Sequence, residues 1–257
     1  MAAPERRDAR WRKCGQPEGR SRFRRAGNRM AGHQRRTGLG GACIDGRRTM
    51  KVLALGAHAD DVEIGCGGSL LRWAAEGHEL VLYVATDSAY AAPDGRPIRR
   101  AEEARREAEA SAARLRAQLV LGTARTFALA CAEPLTARLV ELFETVQPDL
   151  ALVHWGGDTH PDHRALFQAT LHASRRCPRL LGYASNWYPG AETFEPRLLV
   201  DISGTLEAKL DLIGVFASEN GRTDGVWQRH AREQAALLGR QAGVRYAEGF
   251  HMVKYLI

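Results

Sequence analysis

Several features are missing from this sequence, and each absence removes a class of protein. No run of about 18 apolar residues occurs, which argues against a membrane-spanning helix. The N-terminus has no apolar stretch of the kind a secretory signal needs, so a cytoplasmic location is the default expectation. Cysteine is scarce: the five residues Cys14, Cys43, Cys66, Cys131 and Cys177 are odd in number, scattered and without a CxxC pair. A disulfide framework and a thiolate zinc knuckle are therefore both unexpected. No internal repeat is visible, and the first strand-to-helix turn has no GxGxxG to face a pyrophosphate.

What is present is an ordinary globular composition, with 44% hydrophobic and 26% charged residues. The net charge of +7 is unevenly placed. Residues 1–49 hold 14 Lys+Arg against 4 Asp+Glu, which leaves 23 against 26 for residues 50–257 out of totals of 37 and 30. The N-terminal segment, with Arg6, Arg7, Arg24, Arg25, Arg35 and Arg36 among glycines, has too little apolar surface to fold alone and reads as a disordered basic extension. It is either an arm for nucleic acid or acidic lipid, or not native, with Met50 as the start; the second reading is favoured, and no nucleic-acid partner is expected.

From residue 50 onward, short β-branched or apolar runs alternate with longer helical stretches, the pattern of a single α/β domain with a mostly parallel sheet flanked by helices. Strands are expected at Lys51–Gly56, Glu79–Ala85, Gln118–Leu121, Asp149–His154, Leu180–Ala184, Arg197–Ile202 and Phe250–Tyr255. Helices are expected at Gly67–Glu76, Ile98–Leu115, Pro134–Val146, His163–Cys177, Thr205–Ser218 and Trp227–Gly239, with a loop over Asp87–Pro97.

Two clusters carry the chemistry, His58-Ala59-Asp60-Asp61 just past the first strand and His160-Pro161-Asp162-His163 past the fourth. In open α/β sheets ligands sit beyond the C-terminal strand ends where the strand order reverses, and there the first and fourth strands are neighbours. The clusters should therefore meet. Carboxylates in this turn would repel phosphate and attract a divalent cation, and mixed imidazole and carboxylate donors suit zinc, with iron or another transition metal also fitting. His58, one of the two aspartates and one histidine of the second cluster would supply three ligands. The remaining aspartate would stand as a general base beside the metal's water, and the remaining histidine would stabilise an oxyanion. Asp162 is placed to orient one of its neighbouring histidines.

These motifs resemble those of the PIG-L/LmbE-type deacetylase family, which carries His-Pro-Asp-Asp followed by a glycine pair, here His58 to Asp61 with Gly67-Gly68, and later His-Pro-Asp-His, here His160 to His163. Val200-Asp201-Ile202 and the helix carrying Lys209 are similar to that family's C-terminal half. The resemblance implies a Rossmann-like fold and a zinc-dependent hydrolase that removes an N-acetyl or other N-acyl group from a small amino-sugar substrate. It implies His58, Asp61 and His163 as metal ligands, Asp60 as the base and His160 as the stabiliser of the tetrahedral intermediate. Ala59 departs from the family's proline, which bears on loop rigidity and not on the ligand set. Two alternatives are an amidase of an amino-sugar thiol conjugate and a non-catalytic module holding a sugar or nucleotide.

Single residues also have plainer readings. Asp60 or Asp61 would serve as a helix N-cap, His154 and Trp155 as a packed strand end, and Cys66 as a small buried filler. Arg99 and Arg100 would begin a solvated helix, and His251 would lie outside the pocket. The loops 87–97 and 186–196 are expected to shape specificity.

Overall fold

The computed structural model describes residues 43–44, 47–188 and 190–257. The expectation of a basic extension over residues 1–49 thus lies largely outside the described residues. A short antiparallel pair, β1 (Cys43–Ile44) with β2 (Arg47–Arg48), precedes the main body.

The body is a seven-stranded sheet between helices. In chain order it runs β3 (Lys51–Gly56), α1 (Asp61–Ala75), β4 (Glu79–Thr86), the small hairpin β5 (Tyr90–Ala91) and β6 (Pro97–Arg99), α2 (Ala101–Leu115) and β7 (Gln118–Ala124). There follow α3 (Glu133–Val146), β8 (Leu150–His154), α4 (Pro161–Ala173), a 3-10 turn at Ser174–Arg176 and β9 (Arg179–Tyr183). The chain closes with β10 (Leu198–Asp201), α5 (Leu206–Ile213), α6 (Ala217–Thr223), α7 (Val226–Ala242) and β11 (Ala247–Tyr255).

The strand order is β10-β11-β9-β8-β3-β4-β7. The five strands from β9 to β7 are parallel, and β11 enters antiparallel to both β9 and β10. A parallel strand covered on both faces reads as a continuous apolar run, as in β3, where Val52 to Leu55 are all fully buried. Its alternate side chains serve opposite layers. Val52 and Ala54 pack with Leu70 of α1 and Leu115 of α2, whereas Leu53 and Leu55 pack with Leu139 and Phe143 of α3 and Leu166 of α4.

The sequence reading and the structure differ in three places that matter for the site. First, α1 begins at Asp61, six residues before the expected start, and continues through Gly65, Gly67 and Gly68. These glycines serve close packing: a Cβ at Gly65 would stand 2.2 Å from the Tyr183 ring, and one at Gly68 would stand 2.9 Å from Ile202. Second, Pro97–Arg99 forms a strand of the small hairpin instead of a loop end and a helix start, which turns Arg99 inward. Third, the expected helix over Thr205–Ser218 is two helices. It stops at Gly214, where Gln228 takes the Leu210 carbonyl, so that Phe216 can pack beneath Ala59 and Ala104.

Candidate metal centre

β3 pairs directly with β8, so both clusters emerge side by side at the same end of the sheet. The turn after β3 is pinned from its neighbours: the Thr86 hydroxyl donates to the Ala57 carbonyl (2.7 Å), the Ala57 amide to His154 Nε2 (3.1 Å) and the Ala59 amide to Ser88 Oγ (2.9 Å). Asp60 then takes φ 121°, a left-handed conformation that a non-glycine residue adopts at a cost of about 1–3 kcal/mol and that functional sites retain. It occupies the N-cap position of α1, yet its side chain makes no capping bond. On the other side His160 is the N-cap of α4, its Nδ1 accepting the Asp162 amide at 3.2 Å, with Pro161 opening the helix.

The three expected ligands lie side by side, with Asp61 facing His58 through one carboxylate oxygen and His163 through the other. His58 Nδ1 lies 3.3 Å from Asp61 Oδ2, Asp61 Oδ1 lies 3.3 Å from His163 Nε2, and His163 Nε2 lies 3.3 Å from His58 Nδ1. Tetrahedral bonds of about 2.0–2.1 Å to zinc separate neighbouring donors by roughly 3.3–3.4 Å. The spacing of each facing pair suits a four-coordinate ion, with Asp61 presenting one oxygen to each histidine. The far nitrogen of each histidine is held by a carboxylate, His58 Nε2 by Asp162 Oδ2 at 3.0 Å and His163 Nδ1 by Asp158 Oδ2 at 2.9 Å. Such partners fix the ring and its tautomer with the free nitrogen facing the ion.

His154 stacks on His163 with ring centroids 3.6 Å apart and brings Nε2 within 3.3 Å of Asp61. Two groupings of three bring one donor atom from each residue close together: His58 with His160 and His163, and Asp61 with His154 and His163. Because its Nε2 accepts the Ala57 amide, the lone pair of His154 is occupied, whereas His58 Nδ1 faces His163 with no amide bound to it.

The charges agree with a cation site. Burial opposes charge on His58, but its hydrogen bonds to the Asp162 and Asp61 carboxylates win and raise its pKa to about 9. Burial is likewise outweighed at His163, where Asp61 and Asp158 raise the pKa to about 10. Burial and the neighbouring His163 push His154 and His160 down to about 4, so both are neutral at pH 7. Without an ion, two imidazolium rings supply the positive charge that the carboxylates require. Asp60 stands apart from this set, its carboxyl raised by burial to about 8 against the pull of Arg99.

Several sequence-based assignments change. Asp162 does not orient its neighbouring histidines by its side chain; it reaches across to His58 and also accepts the Phe127 and Leu129 amides. The orienting partner of His163 is Asp158, which also receives both hydrogen bonds from the Asn186 amide group. Arg99 is only 3% exposed and bridges Asp60 (3.2 Å) to Glu107 (2.8 Å) while donating to the Ala59 carbonyl. His154 is part of the centre as well as of the packed strand end, and Trp155 lines the adjoining cavity. Cys66 is fully buried, and His251 is absent from the lining of the cavity, as expected. Of the two loops expected to shape specificity, the second lines the cavity with Asn186, Trp187, Tyr188, Glu192, Phe194 and Pro196 among others, whereas no described residue of 87–97 is in its lining.

The family model for PIG-L, GlcNAc-PI de-N-acetylase, matches residues 53–174. Diacetylchitobiose deacetylase of Thermococcus kodakarensis is 28% identical over 234 residues, covering 79% of this chain and 83% of the relative. An uncharacterized deacetylase of Escherichia coli K12, YaiS, is 33% identical over 151 residues, covering 53% of this chain and 75% of the relative. Among solved structures, the N,N'-diacetylchitobiose deacetylase of Pyrococcus horikoshii superimposes with a TM-score of 0.66 at 25% identity, covering 79% of this chain and 84% of that one.

Proposed function

This chain belongs to the PIG-L family of GlcNAc-PI de-N-acetylases, and from that premise we propose that it hydrolyses the N-acetyl group of an amino-sugar substrate, with zinc as the resident ion. The observation that carries the reading is the pairwise 3.3 Å spacing of His58, Asp61 and His163, with one Asp61 oxygen toward each histidine and each histidine backed by a carboxylate. An ion held there supplies Lewis acidity, polarising the amide carbonyl and bringing the pKa of a water down to about 7.

The other residues handle protons and orientation. Asp60, with its carboxyl near neutrality and its Oδ2 steadied by Arg99, takes the proton from the attacking water and returns one to the departing amine. Water and the amide become a carboxylate and a protonated amine. His160 is neutral, and because its Nδ1 accepts the Asp162 amide, the proton resides on Nε2, from which it donates to the carbonyl oxygen as negative charge develops. Asp162 and Asp158 hold the ligand histidines, and Arg99 keeps the base in place.

The test measures metal content and acetate release on the same preparations. Asp61→Ala should lose both. Asp60→Asn should keep stoichiometric metal and lose about 10²–10⁴ in kcat. Wild-type protein that binds no divalent metal, or an Asp60→Asn variant of undiminished activity, would sink the reading.

A further inference from the structure

Among the described residues, six that are not glycine have a positive φ. Arg116, Gln147 and Asp224 end helices, a common use of the left-handed conformation. The other three gather at the centre: Asp60 adjoins Asp61, Ser88 Oγ accepts the Ala59 amide at 2.9 Å, and Phe127 lies against His160. Phe127 has φ 64° at the third position of a turn closed by the Ala128 amide on the Arg125 carbonyl (3.1 Å), a place that favours glycine or asparagine. A bulky side chain there is unfavourable. The ring is also 64% exposed and belongs to none of the hydrophobic core clusters, so burial does not offset the strain. Such strain persists where the surrounding structure dictates it, and it concentrates at functional sites.

The site itself fixes the backbone of Phe127. Asp162 Oδ2 accepts the Phe127 amide at 2.7 Å while holding His58 Nε2 at 3.0 Å, and Asp162 Oδ1 accepts the Leu129 amide at 3.1 Å. The side chain reaches a different histidine. Its ring centroid is 4.9 Å from that of His160 with the planes 27° apart, within the range of offset-stacked pairs. His160 has few other restraints. His58 and His163 each have a carboxylate on the far nitrogen, whereas among the described residues the His160 ring is hydrogen-bonded by the Asp162 amide alone, at 3.2 Å, the long end of the usual range. One bond at Nδ1 does not fix the plane of an imidazole. Stacking on Phe127, together with stacking on His163 at 4.6 Å, restricts that plane and with it the direction of Nε2.

We propose that Phe127 is a positioning residue whose ring holds His160 so that Nε2 points at the carbonyl oxygen of the substrate, a role that rests on the proposed deacetylation for its step and on the ring contact for the orientation. The test uses zinc-loaded protein and acetate release from N,N'-diacetylchitobiose. Phe127→Ala removes the ring and keeps the strained backbone, whereas Phe127→Gly removes both. Each should retain zinc and lower kcat about tenfold with KM within about twofold, as expected for a misaimed group. His160→Ala, which removes the donor itself, should lose about 10²–10³. Phe127→Tyr should keep most of the wild-type rate. The double variant Phe127→Ala/His160→Ala should be no slower than His160→Ala, because the ring then has nothing left to position. Phe127→Gly should melt no lower than wild type, since relief of the backbone offsets the lost contact. Unchanged kcat in Phe127→Ala, a loss carried by KM, losses that multiply in the double variant, or a Phe127→Gly variant that melts several degrees lower would overturn the proposal. Histidine ¹⁵N spectra, with the His160 signals identified by their absence in His160→Ala, separate the two levels. They should show one tautomer of His160 in wild type and averaged ring nitrogens in Phe127→Ala. If that change is seen but wild type releases no acetate, the positioning stands and the reaction falls. If acetate is released but the His160 signals are the same in both proteins, the positioning falls and the reaction stands.

Discussion

The two adjacent aspartates are distinguished by the groups that face them. Asp61 meets three imidazoles, His58, His154 and His163; burial opposes its charge, but the charge of His163 outweighs it and holds the carboxyl well below the usual range. Asp60, one position earlier and in a left-handed conformation, meets Arg99 and is raised. The same logic makes Asp158 a sensitive position. Asp158→Asn keeps the shape but removes the charge behind His163, and it should lower zinc affinity about 10–100-fold, measured by competition with a chromogenic chelator. An unchanged affinity would mean that the His163 ring is fixed by packing alone. That the two clusters converge was legible because their residue types are uncommon together at strand ends. Asp158, His154 and Arg99 were not, since a carboxylate in a loop, a histidine ending a strand and an arginine before a helix have many plainer uses.

At the scale of elements, α1 shows why boundaries were harder to read than existence. Each glycine in a helix interior costs about 1 kcal/mol relative to alanine, so Gly65, Gly67 and Gly68 argue locally for a late start. Tertiary contact overrides them, since Tyr183 and Ile202 need the space. The Lys209–Glu248 pair adds a second device: the carboxylate accepts amides in the middle of α1, and the ammonium takes the Ile64 carbonyl that the Gly68 amide would ordinarily meet. α5 and β11 are thereby fastened to the helix that carries Asp61. Lys209→Met should cost about 3–5 kcal/mol in urea unfolding, because Glu248 is left buried and charged. The double change Lys209→Met/Glu248→Leu should recover part of that loss. A single variant as stable as wild type would show that Glu248 is satisfied by the helix amides.

At the scale of the whole molecule, the fold was the most legible level. Alternating apolar runs and helical stretches implied a parallel sheet, and the adjacency of the first and fourth strands is the β3–β8 pairing. The antiparallel entry of β11 between β9 and β10 was not evident, because strand order at an edge depends on partners that residue patterns do not specify. The whole-molecule prediction concerns pH. His58 and His163 have pKa values of about 9 and 10 in the ion-free fold against 6.5 ordinarily, so their charged pairing stabilises that form fully below pH 6.5 and is lost as pH rises through 9 to 10. Zinc needs both rings deprotonated, so its stabilisation grows over the same interval. The gap in Tm between zinc-loaded and chelator-treated protein should widen from pH 6 to pH 9; a constant or shrinking gap would contradict the ligand assignment. The bond from Asp162 back to His58 spans 104 residues, and the His163–His58 contact spans 105. During synthesis, therefore, the first half of the chain emerges with only part of the proposed coordination shell, and under that proposal an ion would be captured only after α4 has left the ribosome and docked. Metal uptake in a stalled nascent chain would time the moment at which the two halves of the sheet join.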